Sequence, residues 1–229
     1  MDERIKKDRG IRHIVCAQLF MLGAVLELLM FLGYRDLFKI SSIITAILYS
    51  LVFPMYFLVL ERDYLRDDMV KLHIKKAFKY ILITIFFELI FTIIGSVIVS
   101  LIKPLESNIN VKFMENADTF QIVVILITLS WNLLGEEGGK LAFFMFADKY
   151  FKFFKMNENI RYYLIWFIDC LIFGVMHLSA YGNNILQCIF VIGIPSIVYG
   201  YLWKKTRNPF VMWLTHIVYD YSLIALSFM

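Results

Sequence analysis

Apolar residues fall into seven long runs with short polar punctuation between them. The run "ISSIITAILYSLVFPMYFLVL" at 40–60 contains no charge at all. The others, some with one ionisable interruption, cover about 14–34, 80–102, 120–146, 162–183, 185–203 and 208–228. A helix that crosses a bilayer needs roughly 20 mostly apolar residues. The pattern therefore predicts an all-α, polytopic membrane bundle of about seven spans. The connections are too short to hold a second domain, and no internal repeat or low-complexity tract occurs. Within this single membrane domain the sequence divides into 1–119, with spans 1 to 3 and a polar loop, and 120–229, with spans 4 to 7.

Composition agrees with the pattern. The chain is 60% hydrophobic and 18% charged, with a mean hydropathy of +0.71. Soluble domains are about 45–50% apolar and about 25% charged. Charge then sets an orientation. The segments 1–13, 61–79, 147–161 and 204–207 hold 18 of the 23 lysines and arginines, while the opposite side keeps Arg35, Lys39, Lys103 and Lys112. By the positive-inside rule the N-terminus faces the cytoplasm and the C-terminus faces out. This topological role accounts for the net charge of +4, and no nucleic-acid partner is implied. No small-residue cleavage site follows the basic "MDERIKKDRGIRH", so the first apolar run reads as an uncleaved span. The segment 66–79 mixes charges with Met69, Leu72, Ile74 and Phe78, and suits an interfacial helix as well as a solvated loop. Cys16, Cys170 and Cys188 lie inside apolar runs and read as buried small hydrophobes.

Ionisable residues within the spans need a reason, because each costs at least ~2.5–3.5 kcal/mol at the bilayer centre. They are Glu27, Glu88, Glu136, Glu137, Lys140, Asp169, His177, His216 and Asp220. Most lie in the second half, which predicts a polar site built by spans 4, 5 and 7 with spans 1 to 3 peripheral. In "GEEGGK" (135–140), Glu136 and Lys140 are four apart and share a helical face. Glu137 points about 100° away, as the helical repeat requires. The three glycines permit close helix approach or a local break. Asp169, Phe173 and His177 follow at intervals of four, as do His216 and Asp220. Glu27 and Glu88 suit hydrogen bonds to neighbouring helices.

This inventory offers a carboxylate as general base and two imidazoles to hold water, move protons or donate to an oxyanion. No nucleophilic Ser or Cys stands beside a histidine, so direct activation of water fits better than an acyl-enzyme. His and Glu also ligate zinc, but no HExxH occurs and zinc is not favoured. Depth matters. If span 4 starts at Phe120 and span 5 near Tyr162, a rise of 1.5 Å per residue leaves Glu136 and His177 about 15 Å out of step. A start of span 4 near 126 brings them level.

The three motifs resemble the CAAX protease and bacteriocin-processing family of intramembrane proteases, also called the Abi family. Its pattern is EExxxR, FxxxH and HxxxN or HxxxD on successive helices. The matches are Glu136 with Glu137, Phe173 with His177, and His216 with Asp220. The resemblance covers about residues 120–225. It implies that Glu136 is the general base and that His177 holds and polarises the water. It also implies that His216 and Asp220 stabilise the oxyanion, with Glu137 in support. Lys140 stands where the family has arginine, which replaces a bidentate fork with a point charge. An aspartate at 220 donates a hydrogen bond only when protonated.

The implied function is a bacterial-type endopeptidase in the cell membrane. It would act on a peptide or membrane-protein segment without a cofactor, and bacterial relatives suggest bacteriocin immunity or maturation of a peptide signal. Two other readings compete. One is a catalytically silent member that binds and regulates a membrane partner. The other is a small transporter with the acidic residues as a proton relay.

Overall fold

The computed structural model describes residues 74–115 and 117–228. The apolar runs at 14–34 and 40–60, with Cys16 and Glu27, lie outside the described residues, as does the 66–73 part of the expected interfacial helix. Every regular element of the described part is a helix. Its elements are α1 (Ile74–Ser100), the short α2 (Ile109–Met114), α3 (Thr119–Phe151), α4 (Glu158–Met176), α5 (Ile185–Thr206) and α6 (Pro209–Ser227). All but α2 are long and apolar enough to cross a membrane, which makes five spans among the described residues. Residues 74–79 are the first turns of α1 rather than a separate interfacial helix.

Local chemistry sets the helix ends. Asp118 caps α3 by accepting from the Gln121 backbone N–H at 2.8 Å, while the Gln121 side chain accepts from the Asp118 N–H at 3.0 Å. This reciprocal box satisfies two otherwise orphaned donors. Asn157 and Asn208 cap α4 and α6 by side-chain oxygens that accept from backbone N–H groups, without the reciprocal bond. Pro195 has no N–H to give to the helical ladder. Around it α5 changes from α to π winding at Cys188–Gly193, then to 3-10 winding at Ile194–Ile197. The apolar run alone predicts a regular span there. By contrast α3 runs unbroken through Gly135, Gly138 and Gly139, so of the two possibilities at "GEEGGK", close approach or a local break, the break does not occur.

α5 is the central helix. Half of its spanning window is buried, against 13% to 33% for the other four spans. It packs against α1 on one side and α4 on the other, while α6 packs on α1 and α3. α1 shows its other face outward through Phe86, Phe87, Ile93, Ile94 and Val97, as a lipid-facing helix should. At Gly174 and Gly193 the backbones of α4 and α5 nearly touch. A Cβ on Gly174 would lie 2.5 Å from the Cys188 carbonyl oxygen, and one on Gly193 would lie 2.6 Å from that of Cys170. Small residues permit this approach where no hydrophobic force drives helices together. Gly174→Ala is expected to force α4 off α5 and cost about 1–3 kcal/mol. Thermal unfolding in detergent micelles measures this, and an unchanged midpoint would show that the backbones yield freely.

One end of the bundle holds an aromatic core. Phe144 stacks on Trp166 at 5.2 Å and meets Tyr162 edge-on at 4.9 Å. Trp203, Leu202 and Met212 complete the core, fully buried. The α3–α4 and α5–α6 connections lie at this end. Here the Arg161 Nε donates to Asp148 Oδ1 at 2.7 Å, and Lys152 pairs with the other carboxylate oxygen at 3.1 Å. Partial burial alone would raise the Asp148 carboxyl, but these two cations hold it below its ordinary value. With Lys204, Lys205 and Arg207 nearby in sequence, this is the end that charge assigns to the cytoplasm.

Candidate active site

The polar residues gather towards the other end. A cavity of about 300 Å³ lies between α3, α4, α6 and the segment that carries α2. Glu136, Phe173, His177 and Asp220 line it, together with Tyr181 and Asn108. Leu129 and Leu133 of α3 and Leu223 and Ile224 of α6 supply apolar wall. The wall near α2 is tied down by side-chain amides. Gln187 accepts from the Glu106 N–H and donates to the Glu106 carbonyl, both at 2.8 Å. Asn108 donates to the Tyr181 hydroxyl at 2.9 Å. Burial pushes the Tyr181 phenol up to about 12, so it remains a neutral hydroxyl in the cavity wall.

Glu136 and His177 reach one cavity because both are placed from the same hairpin. Glu136 stands 15 residues before the end of α3 and His177 stands 19 after the start of α4. That is about 22 Å and about 28 Å from the α3–α4 connection. The 15 Å mismatch assumed that α3 starts at a membrane face. With 33 residues, α3 is about 50 Å long and overhangs a core of about 30 Å. Its first residue therefore says nothing about depth.

His177 is the C-cap of α4, with φ −88° and ψ 3°. Its Nδ1 lies 2.8 Å from the Phe173 carbonyl oxygen. A carbonyl only accepts, so Nδ1 carries hydrogen, and in the neutral ring Nε2 is left as an acceptor. The Phe173 ring stands edge-on to His177 at 4.5 Å.

His216 lies behind the cavity rather than on its wall. Its Nδ1 is 2.7 Å from Glu137 Oε1, and its Nε2 is 3.7 Å from Asp220 Oδ1. Glu137, buried and 1% exposed, also forms an ion pair with Lys140. The Lys140 ammonium sits between two rings, 4.2 Å from the centre of Phe173 and 4.3 Å from that of Tyr199. A chain Lys140–Glu137–His216–Asp220 therefore runs from the buried interior to the cavity. Of the two adjacent glutamates, Glu136 faces the cavity and Glu137 is engaged inside. The 100° between successive side chains on a helix produces this division.

Asp169 is buried and does not line the main cavity. Glu88 of α1 is also buried, within electrostatic reach of His216, Lys140, Asp220 and Glu137. The expectation that spans 1 to 3 are peripheral therefore fails for α1. Its Thr84, Glu88 and Thr92 form a polar stripe at intervals of four, and Thr92 shares a hydrogen bond of 2.7 Å with the Tyr219 hydroxyl. That spacing is the signal in the sequence that could have placed α1 inside. Tyr181 and Asn108 gave no signal, since they sit in connections. Among the described residues no three His, Cys, Asp or Glu side chains are grouped to hold a metal ion.

Residues 118–222 match the family model described as type II CAAX prenyl endopeptidase Rce1-like. This segment, a little under half of the chain, is therefore similar to CAAX-type proteases. No curated protein and no solved structure matches the chain. The matched segment begins at the cap of α3 and ends in α6, so it holds every cavity residue named above except Asn108, Leu223 and Ile224. α1 and α2 lie before it. The chain is thus a multi-pass membrane protein whose matched segment resembles CAAX-type proteases.

Proposed function

We propose that the protein is an intramembrane endopeptidase that hydrolyses a peptide bond with water activated by Glu136. The observation that carries this reading is the meeting of Glu136, His177 and Asp220 on one cavity within a helix bundle that resembles this family. Water sits between Glu136 and the bare Nε2 of His177. Glu136 takes its proton as the hydroxide oxygen bonds to the scissile carbonyl carbon. Asp220, in its protonated form and backed by His216, donates to the oxyanion. Collapse breaks the C–N bond, and Glu136 returns the proton to the leaving amine. The apolar wall favours a substrate with leucine-like side chains beside the scissile bond. Such a substrate is a peptide or a membrane-protein segment, and secreted peptide signals or bacteriocins are suitable candidates. The plasma membrane of a bacterium is the proposed setting.

Reconstitution in nanodiscs with a fluorogenic peptide library tests this reading. Cleavage by the wild type and its loss in Glu136→Ala support it. A folded wild type that cleaves nothing in the library would favour a silent, partner-binding member. Cleavage is also expected to survive strong chelation, because the proposed mechanism takes its proton chemistry from side chains. Complete loss in chelator, restored by zinc alone, would make the enzyme a metalloprotease.

Asp220 gives a finer test. Asp220→Asn is expected to retain substantial activity, since asparagine always has a hydrogen to donate. Asp220→Ala is expected to lose about 10²–10³ in rate, as typical for one oxyanion donor. In the donor role, wild-type activity falls on the alkaline side and the asparagine variant lacks that limb. If Asp220 only orients His216, the variant keeps the wild-type profile at a lower rate. An alanine variant that cleaves like wild type would make residue 220 structural.

A further inference from the structure

A second, smaller pocket lies behind Glu136. It measures about 30 Å³ and is lined by Glu136, Gly139, Lys140, Asp169, Phe173 and Met176, among others. Glu136, Phe173 and Met176 are shared with the main cavity, so Glu136 stands between the two. Asp169, only 3% exposed, has its Oδ2 buried with no hydrogen-bond partner among the described residues. Glu136 Oε2 is likewise buried and unpartnered. Lys140 Nζ makes its ion pair with Glu137 and has no further hydrogen bond there. Three residues that line this small pocket thus each carry a buried polar atom without a hydrogen bond. A buried polar group left without a partner costs about 1–3 kcal/mol. A water needs two to four polar partners and a cavity of at least about 10–15 Å³.

We propose that this pocket holds one water molecule bridging Glu136 and Asp169, through which the two carboxyls share a single proton. Asp169 is then a positioning residue that sets the charge of the base without touching substrate. Two carboxylates in one site resist double ionisation, and such a pair titrates as a unit. Lys140 and Glu137 of α3 face the pair from one side. Asp220 of α6 and His177 at the end of α4 face Glu136 from the main cavity. Lys140 forms its ion pair with Glu137 and also lies within electrostatic reach of Asp169 and Glu136, and Asp169 is the second carboxyl lining the pocket with Glu136.

The kinetic part of the inference rests on Glu136 being the base, so the experiment has one arm that needs no activity. In nanodiscs, infrared spectra of the protonated-carboxyl stretch are recorded for wild type, Glu136→Gln, Asp169→Asn and Gly139→Ala. A shared proton gives one band that both carboxyl variants alter. Gly139→Ala keeps both acids but adds a methyl to the pocket wall, and it should displace the water and move the same band. Independent bands, each removed by its own substitution and blind to the other two, would overturn the proposal. In the kinetic arm, Asp169→Asn should move the acid limb of the kcat/KM profile by one pH unit or more towards higher pH, because the singly protonated pair is no longer stabilised by sharing. A merely structural aspartate would lower the rate and leave the limb in place. If wild type cleaves but neither limb nor band responds to Asp169→Asn, this inference fails and the protease reading stands. If the band responds while no substrate is cleaved, the reverse holds.

Discussion

Glu136→Gln is expected to lower kcat/KM by about 10²–10⁴-fold, the usual contribution of a positioned general base. Glutamine keeps the shape and can still hydrogen-bond water, but it cannot take the proton that turns water into a nucleophile. Substrate binding and folding should hardly change, because Glu136 makes no ion pair with its neighbours among the described residues. The loss should therefore appear in kcat rather than KM. The adjacent Glu137 provides the contrast. Glu137→Gln should weaken the fold as well as the rate, since Lys140 and His216 both rely on it. Steady-state kinetics and unfolding midpoints on the two variants separate these outcomes. A Glu136→Gln enzyme that cleaves at the wild-type rate would remove Glu136 from the chemistry.

Lys140→Met is expected to destabilise the protein by about 3–5 kcal/mol, the cost of leaving a buried charge without its partner. Lys140 and Glu137 are 3% and 1% exposed, so water cannot replace the lost ammonium. His216 alone would then face the Glu137 carboxylate. Two cation–π contacts, with Phe173 and Tyr199, vanish as well, each of the order of 0.5–2 kcal/mol. A double variant, Lys140→Met with Glu137→Gln, removes both charges and should recover part of the loss. The coupling energy from that cycle isolates the pair. Unfolding in mixed micelles provides the four stabilities, and additive losses would show that Lys140 and Glu137 act independently. The ammonium also explains how a lysine stands where the family pattern has arginine. A point charge fits between two aromatic faces, and it contacts one carboxylate rather than gripping it in a fork.

Much of this was legible in the chain. Runs of about 20 apolar residues can only be helices in lipid, because every backbone N–H and C=O must be satisfied within the segment. That rule fixed the all-α class and the position of each described span. The spacing of four in Phe173–His177 and His216–Asp220 fixed which side chains share a face, since this follows from helix pitch alone. The adjacency of Glu136 and Glu137 ensured that one of them would face away from the other. What pitch cannot supply is depth, rotation and neighbours. Depth was set by the hairpin joining α3 to α4, so Glu136 and His177 meet although counting from helix starts kept them apart. Rotation of α6 placed Asp220 on the cavity and His216 behind it, a choice made by Glu137 and the rings of Phe173 and Tyr199. Close backbone contact brought α1 inward, where Gly95 lies against the Phe190 carbonyl of α5. Glu88 thereby joined the site from a span that sequence had set aside. Each of these outcomes depends on contacts between residues far apart in the chain, and only tertiary packing decides them.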